Sequence, residues 1–184
     1  MGGRDDISVG VIGAGIRGLA AALSLLRAGL DVHVYERATA VRELGAGIQV
    51  SPNASRILHR LGLADELARM GVRPVGFHQR RWDDGRTLLQ TPLGDAVVEV
   101  FGFPYYHMHR ADLLSTLARA LPVQRLHLGH RLVGLADRSD RVEAKFENGK
   151  TGGFDVTRSS GRWTKLSSGL CSIALRCHDG LPAA

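Results

Sequence analysis

Cysteine is nearly absent from this 184-residue chain: the two present, Cys171 and Cys177, come late and at no zinc-ligand spacing. They make neither a disulfide framework nor a metal site, and are expected to be free thiols. Lysine is scarce too, three against 21 arginines, and the arginines are scattered. The densest basic cluster, Arg80-Arg81, is followed at once by Asp83 and Asp84, so despite a net charge of +6 no nucleic-acid partner is expected. No apolar run approaches the ~20 residues that would span a bilayer, and no membrane partner is expected. The opening Met-Gly-Gly-Arg-Asp-Asp has no apolar signal region, and Asp6 stands where a myristoylation motif needs Ser or Thr. A soluble, cytoplasmic protein is the expectation. With 44% hydrophobic and 23% charged residues, what remains is globular composition with room for one good core.

The first sixth of the chain carries the clearest pattern. Residues 7–12 form a short apolar run ending at glycine, as a buried parallel strand does. Residues 15–28 follow with Ile16, Leu19, Ala20, Leu23 and Leu26 at helical spacing, and Gly29 closes the helix. Residues 31–36 alternate and are β-rich. Strand, tight turn, helix and strand within about 30 residues make a βαβ unit. Beyond it, Ser51-Pro52 has the form of an N-cap with Pro at the first helical position, opening a helix that ends at Gly62. A short helix over about 63–70 follows. Segments 75–82 and 86–90 flank the turn Asp83-Asp84-Gly85 as a hairpin. A helix is expected at about 110–121, stopped by Pro122, and then strands at about 125–128, 131–136 and 141–147.

Gly13-Ala14-Gly15-Ile16-Arg17-Gly18 lies between the first strand and its helix, and Glu36 ends the next strand. This is the full context of a dinucleotide fingerprint. Gly13 permits the turn, Gly15 lets backbone approach a pyrophosphate, and Gly18 lets the helix pack on the strand. The helix N-terminus presents free N–H groups to the diphosphate, and Glu36 can accept from adenosine ribose hydroxyls. The alternative is a purely structural strand–helix turn. The histidine pairs His107/His109 and His127/His130 lack a completing Cys, Asp or Glu, so no metal site is expected. No protein nucleophile stands out either.

The fingerprint does not separate NAD from FAD. Gly13–Arg37, Leu44-Gly-Ala-Gly-Ile-Gln-Val-Ser-Pro-Asn53 and His109-Arg110-Ala-Asp-Leu113 together resemble the FAD-dependent aromatic-ring hydroxylases, with the salicylate, 3-hydroxybenzoate and 6-hydroxynicotinate monooxygenases the nearest subgroup. The resemblance covers about residues 7–156. It implies an α/β, Rossmann-type FAD-binding fold with inserted β-structure, ending before the substrate domain is completed. It further implies FAD as cofactor, NAD(P)H as co-substrate, and a small phenolic or N-heteroaromatic acid hydroxylated with O2. By the same resemblance Gly13, Ala14, Gly15 and Gly18 hold the diphosphate, and Glu36 with Arg37 the ribose. Gln49 lies near the flavin, Arg110 reaches the cofactor, and Leu132 sits in a strand near the adenine. Plainer readings stand beside these: a solvated arginine for Arg37, a polar loop residue for Gln49, and ordinary strand packing for Leu132. Arg110 opens a helix, where a cation opposes the dipole and calls for an anionic partner.

Two rival functions follow from the same residues: another FAD enzyme, an oxidase or dehydrogenase, or a non-catalytic nucleotide-binding remnant. The family pattern calls for Gly-Ala-Asp-Gly after the strand that Asp155-Val156 begins, but Thr157-Arg-Ser-Ser-Gly-Arg-Trp163 stands there. Residues 1–156 are therefore expected to be the FAD-binding domain. Residues 157–184 are expected to be an aberrant or disordered tail, arising from a frameshift or spurious extension near residues 150–157. The chain by itself is expected to be inactive.

Overall fold

A computed structural model describes residues 7–41, 46–137, 141–155 and 172–173. These residues fall into two compact units, residues 1–42 with 117–184, and residues 43–116.

The first unit is built on the βαβ element. Strand β1 (Ser8–Ile12) is parallel to β2 (Asp31–Tyr35), with Val9 opposite Val32 and Val11 opposite Val34, all four fully buried. Helix α1 (Ile16–Arg27) joins them and buries Gly18, Leu19, Ala22 and Leu23. Gly29 ends it with φ +81, and the Leu30 and Gly29 amides close back on Leu25 and Leu26. A short strand reached after the second unit (Leu126–His127) adds parallel to β2. Parallel strands need a crossover, and here the return from β2 runs through the whole second unit before the sheet is resumed.

A second, antiparallel sheet completes this unit: the strands Leu132–Asp137, Val142–Phe146 and Thr151–Phe154, turned at Asn148-Gly149. Ala144, Phe146 and Phe154 form its core, and Ile12, Tyr35, Leu132 and Leu135 pack against them. Gly10 of β1 faces the Phe154 ring so closely that a Cβ there would stand 2.6 Å from it. The last of these strands, paired with Val142–Phe146 across the Asn148-Gly149 turn, was not anticipated, and the strand expected to begin at Asp155-Val156 falls outside the described residues after Asp155.

The second unit opens with β3 (Gly47–Val50), antiparallel to the strand Tyr106–His109. Between them come α2 (Pro52–Arg60), α3 (Ala64–Met70), the hairpin β4 (Gly76–Arg80) and β5 (Thr87–Pro92), and α4 (Asp95–Phe101). We number the strands that follow β6 (Tyr106–His109), β7 (Leu126–His127), β8 (Leu132–Asp137), β9 (Val142–Phe146) and β10 (Thr151–Phe154), with α5 (Arg110–Ala120) between β6 and β7. Pro52 starts α2 as expected, but Ser51 makes no side-chain cap, since its hydroxyl is turned to Asn53. β3 and α4 were not anticipated. A four-residue strand beside glycines, and seven residues between Gly94 and Gly102, are too short to show a period.

The α/β fold with inserted β-structure is thus as expected. Most of the expected tail lies outside the described residues, although Ser172–Ile173 form a short strand, β11, antiparallel to β1. Among the described residues no helix is long and apolar enough to cross a membrane, and no group of three His, Cys, Asp or Glu residues could hold a metal ion.

Candidate functional site

The glycine turn folds as it does because two of its residues need no side chain. Gly13 sits at φ +103, a conformation L side chains rarely adopt, and its N–H donates to the Tyr35 carbonyl at 2.7 Å. Gly15 is the N-cap of α1 in ordinary extended geometry, φ −72 and ψ 172, without a side-chain cap and with no acidic residue in the first turn. The first-turn N–H groups of this 12-residue helix thus have no N-cap side chain and no first-turn carboxylate to accept them, and the helix dipole adds positive potential there. Among the described residues, a Cβ built on Gly15 meets no atom within 4 Å. Internal packing does not require glycine here, whereas close approach by a group from outside would.

Glu36 stands over this turn. One carboxylate oxygen accepts the Ala14 N–H at 2.8 Å and the other accepts the Ala38 N–H at 2.9 Å. Its backbone is held as well: the Glu36 N–H donates to the His127 carbonyl at 2.9 Å, and its carbonyl accepts from His130 at 2.8 Å. Each carboxylate oxygen keeps a lone pair for another donor. A helix end without a side-chain cap, an open space at Gly15 and an acid 2.8 Å from the same turn fit a diphosphate joined to a ribose.

The structure brings Gly13, Ala14, Gly15, Gly18 and Glu36 together in the first unit. Arg37 is exposed on the loop after β2. Leu132 starts β8 and packs against the Ala144–Phe146–Phe154 core. Gln49 and Arg110 belong to the second unit. Gln49 lies exposed on β3 opposite His107, and Arg110 opens α5 with its N–H on the Ala46 carbonyl at 3.1 Å. Sequence reasoning missed Gly10, although a lone glycine inside a strand signals close approach. It also missed the backbone hold of residues 127–130 on Glu36, which no local pattern announces.

The 3-amino-4-hydroxybenzoate 2-monooxygenase of Streptomyces cremeus is 44% identical over 151 residues, 82% of this chain and 38% of that enzyme. The 6-hydroxynicotinate 3-monooxygenase of Pseudomonas fluorescens is 40% identical over 148 residues, 80% of this chain and 38% of that one. The crystal structure of Klebsiella pneumoniae HpxO complexed with FAD and uric acid matches with a TM-score of 0.73 at 28% identity, over 84% of this chain and 39% of that one. The chain therefore spans 38% of the length of each of these two curated relatives. A sequence family described as FAD binding domain matches residues 6–158, most of the chain and all of the glycine turn with Glu36, and the chain belongs to that family.

Proposed function

We propose that residues 1–156 are the FAD-holding part of a flavoprotein monooxygenase that hydroxylates a phenolic or N-heteroaromatic acid with NAD(P)H and O2. The observation that carries this reading is the Glu36 carboxylate fixed 2.8 Å from the Ala14 amide, over a helix end with no cap of its own. Gly15 leaves room for the diphosphate, the first turn of α1 donates to it, and Glu36 accepts from the adenosine ribose. Gln49 and Arg110 are the residues of the second unit assigned to the cofactor, and Arg37 is a second cation, assigned to the ribose. Bound FAD would supply the redox chemistry and oxygen activation, while the protein positions the ring and excludes water. The acid substrate class is supported by the named relatives, whose substrates carry a ring hydroxyl with a carboxylate. Turnover by these 184 residues alone is not part of the reading, and neither is a role for residues 157–184.

Every feature of the first unit recognises the ADP half, so a plain adenine-nucleotide binder is the second reading. Titrating the purified chain with FAD, then competing with ADP, separates the two. The proposal expects quenched flavin fluorescence and a dissociation constant for FAD well below that for ADP. Equal affinities would leave only nucleotide binding, and no saturable flavin signal would overturn both.

A further inference from the structure

Strand β2 buries Val32 and Val34 on one face and carries Asp31, His33 and Tyr35 on the other. Arg125 and His127 meet this second face. His127 stacks on Tyr35 with ring centroids 4.7 Å apart and on His33 at 5.1 Å, while Phe146 covers Tyr35 from β9. His33 Nδ1 and His127 Nε2 are 2.9 Å apart. Arg125 Nη1 lies 2.9 Å from His33 Nε2 and is also bonded to Asp31.

Chemistry sets the direction of this chain. A guanidinium only donates, so His33 Nε2 must accept. A neutral His33 then carries its proton on Nδ1 and donates it to Nε2 of His127, whose own proton sits on Nδ1. A second proton on either ring sets two donors against each other: His33 Nε2–H against the guanidinium, or His127 Nε2–H against His33 Nδ1–H. The arrangement holds only while both rings are neutral. The same segments carry Glu36, whose N–H and carbonyl are bonded to His127 and His130.

We propose that the His33–His127 pair is a proton-sensitive lock that positions Glu36, so that its protonation loosens β7 from β2 and weakens the hold on the adenosine ribose. The ligand in this statement rests on the FAD reading above; the lock itself does not. Burial favours the neutral form of both rings. At His33 the Asp31 carboxylate pulls the other way and Arg125 adds to the lowering, and at His127 the neighbours His33, His130 and Lys150 all oppose a charge. Tyr35, pushed upward by burial and Asp31, stays neutral across this range. Both imidazoles therefore titrate below their ordinary value of 6.5.

The test is amide hydrogen exchange of the full 184-residue chain without flavin, expressed as protection factors at Ala14 and Ala38, the two amides that Glu36 holds. Protection should fall about tenfold or more between about pH 7.5 and about pH 5.5, in step with protonation of the two imidazoles followed by NMR. The double variant H33N/H127Q keeps an amide donor and an amide acceptor in the same places without a titrating group, and its protection should stay level. Flavin titration over the same range should follow each pattern. Constant wild-type protection, or a fall while both imidazoles remain neutral, would overturn the lock whatever the flavin does. So would a matching fall in a folded H33N/H127Q. A chain whose protection falls with imidazole protonation but which never binds FAD keeps the lock and refutes the FAD reading.

Discussion

Gly10 and Gly15 lie five residues apart in the first βα unit and lack side chains for opposite reasons. At Gly10 the space is taken by Phe154, a ring already packed by Tyr35 and Phe146. Gly10→Ala should therefore cost about 1–3 kcal/mol in urea unfolding, the usual cost of overpacking a filled core. At Gly15 the space is open and the backbone is one that any residue adopts. Gly15→Val should leave the circular dichroism and the unfolding midpoint unchanged while abolishing FAD binding. A variant that folds and binds normally would remove the close-approach argument. Glu36 is expected to do two things at once, order the glycine turn and accept ribose hydroxyls. Glu36→Ala should lose charge-assisted hydrogen bonds of about 1.5–3 kcal/mol, weakening FAD about ten- to a hundredfold. Glu36→Gln should fall between, since its amide oxygen can keep one backbone donor while its NH2 faces the other.

Among elements, the contrast is between a strand packed on both faces, one buried and one half-buried, and a hairpin buried on neither. β2 is packed by aliphatic residues on one side and by rings on the other, and two of those rings are histidines held neutral. Their depressed folded values mean that the unfolded chain binds more protons, so stability rises with pH in that window. The contribution is fully present above pH 6.5 and drains away as pH falls below it through the folded values. Thermal unfolding midpoints measured across that window should fall on acidification, and those of H33N/H127Q should fall less. The β4–β5 hairpin is exposed along its whole length and puts Val75, Trp82 and Leu88 at 89%, 95% and 62% exposure. Among the described residues neither outer edge of this hairpin is paired, and strand edges with apolar side chains invite pairing between chains. Light scattering should show concentration-dependent association, reduced in the double variant Trp82→Ser with Leu88→Ser.

At the scale of the molecule, the chain is two units, and the sequence crosses between them twice, into the second after residue 42 and back after residue 116. The first contains the βαβ element and closes only when the sheet is resumed at β7, some ninety residues after β2 (Tyr35 to Leu126). A glycine turn and an acid 22 residues apart in sequence are joined by one hydrogen bond. Holding that acid also takes His127 and His130, which come from beyond the second unit. The affinity for a dinucleotide thus depends on the complete first unit. Loss of β7 should cost flavin binding even with residues 1–41 intact, a comparison that a chain cut after Thr116 can make by the same fluorescence titration.

Local pattern alone determined the βαβ unit, the glycine turn, Glu36, the hairpin and most helix ends. Each of these rests on period, on φ at a glycine or on an i-to-i+4 neighbour, and all three are properties of a short window. Tertiary structure decided the rest. β3 becomes a strand because β6 pairs with it, Gly10 is required because Phe154 arrives from 144 residues away, and Leu132 packs inward on partners from β9 and β10. The His33–His127 hydrogen bond joins residues 94 positions apart. Spacing along the chain contains no trace of such a contact, since which strand comes to lie beside which is decided by the crossover that returns one next to the other, and by nothing local to either.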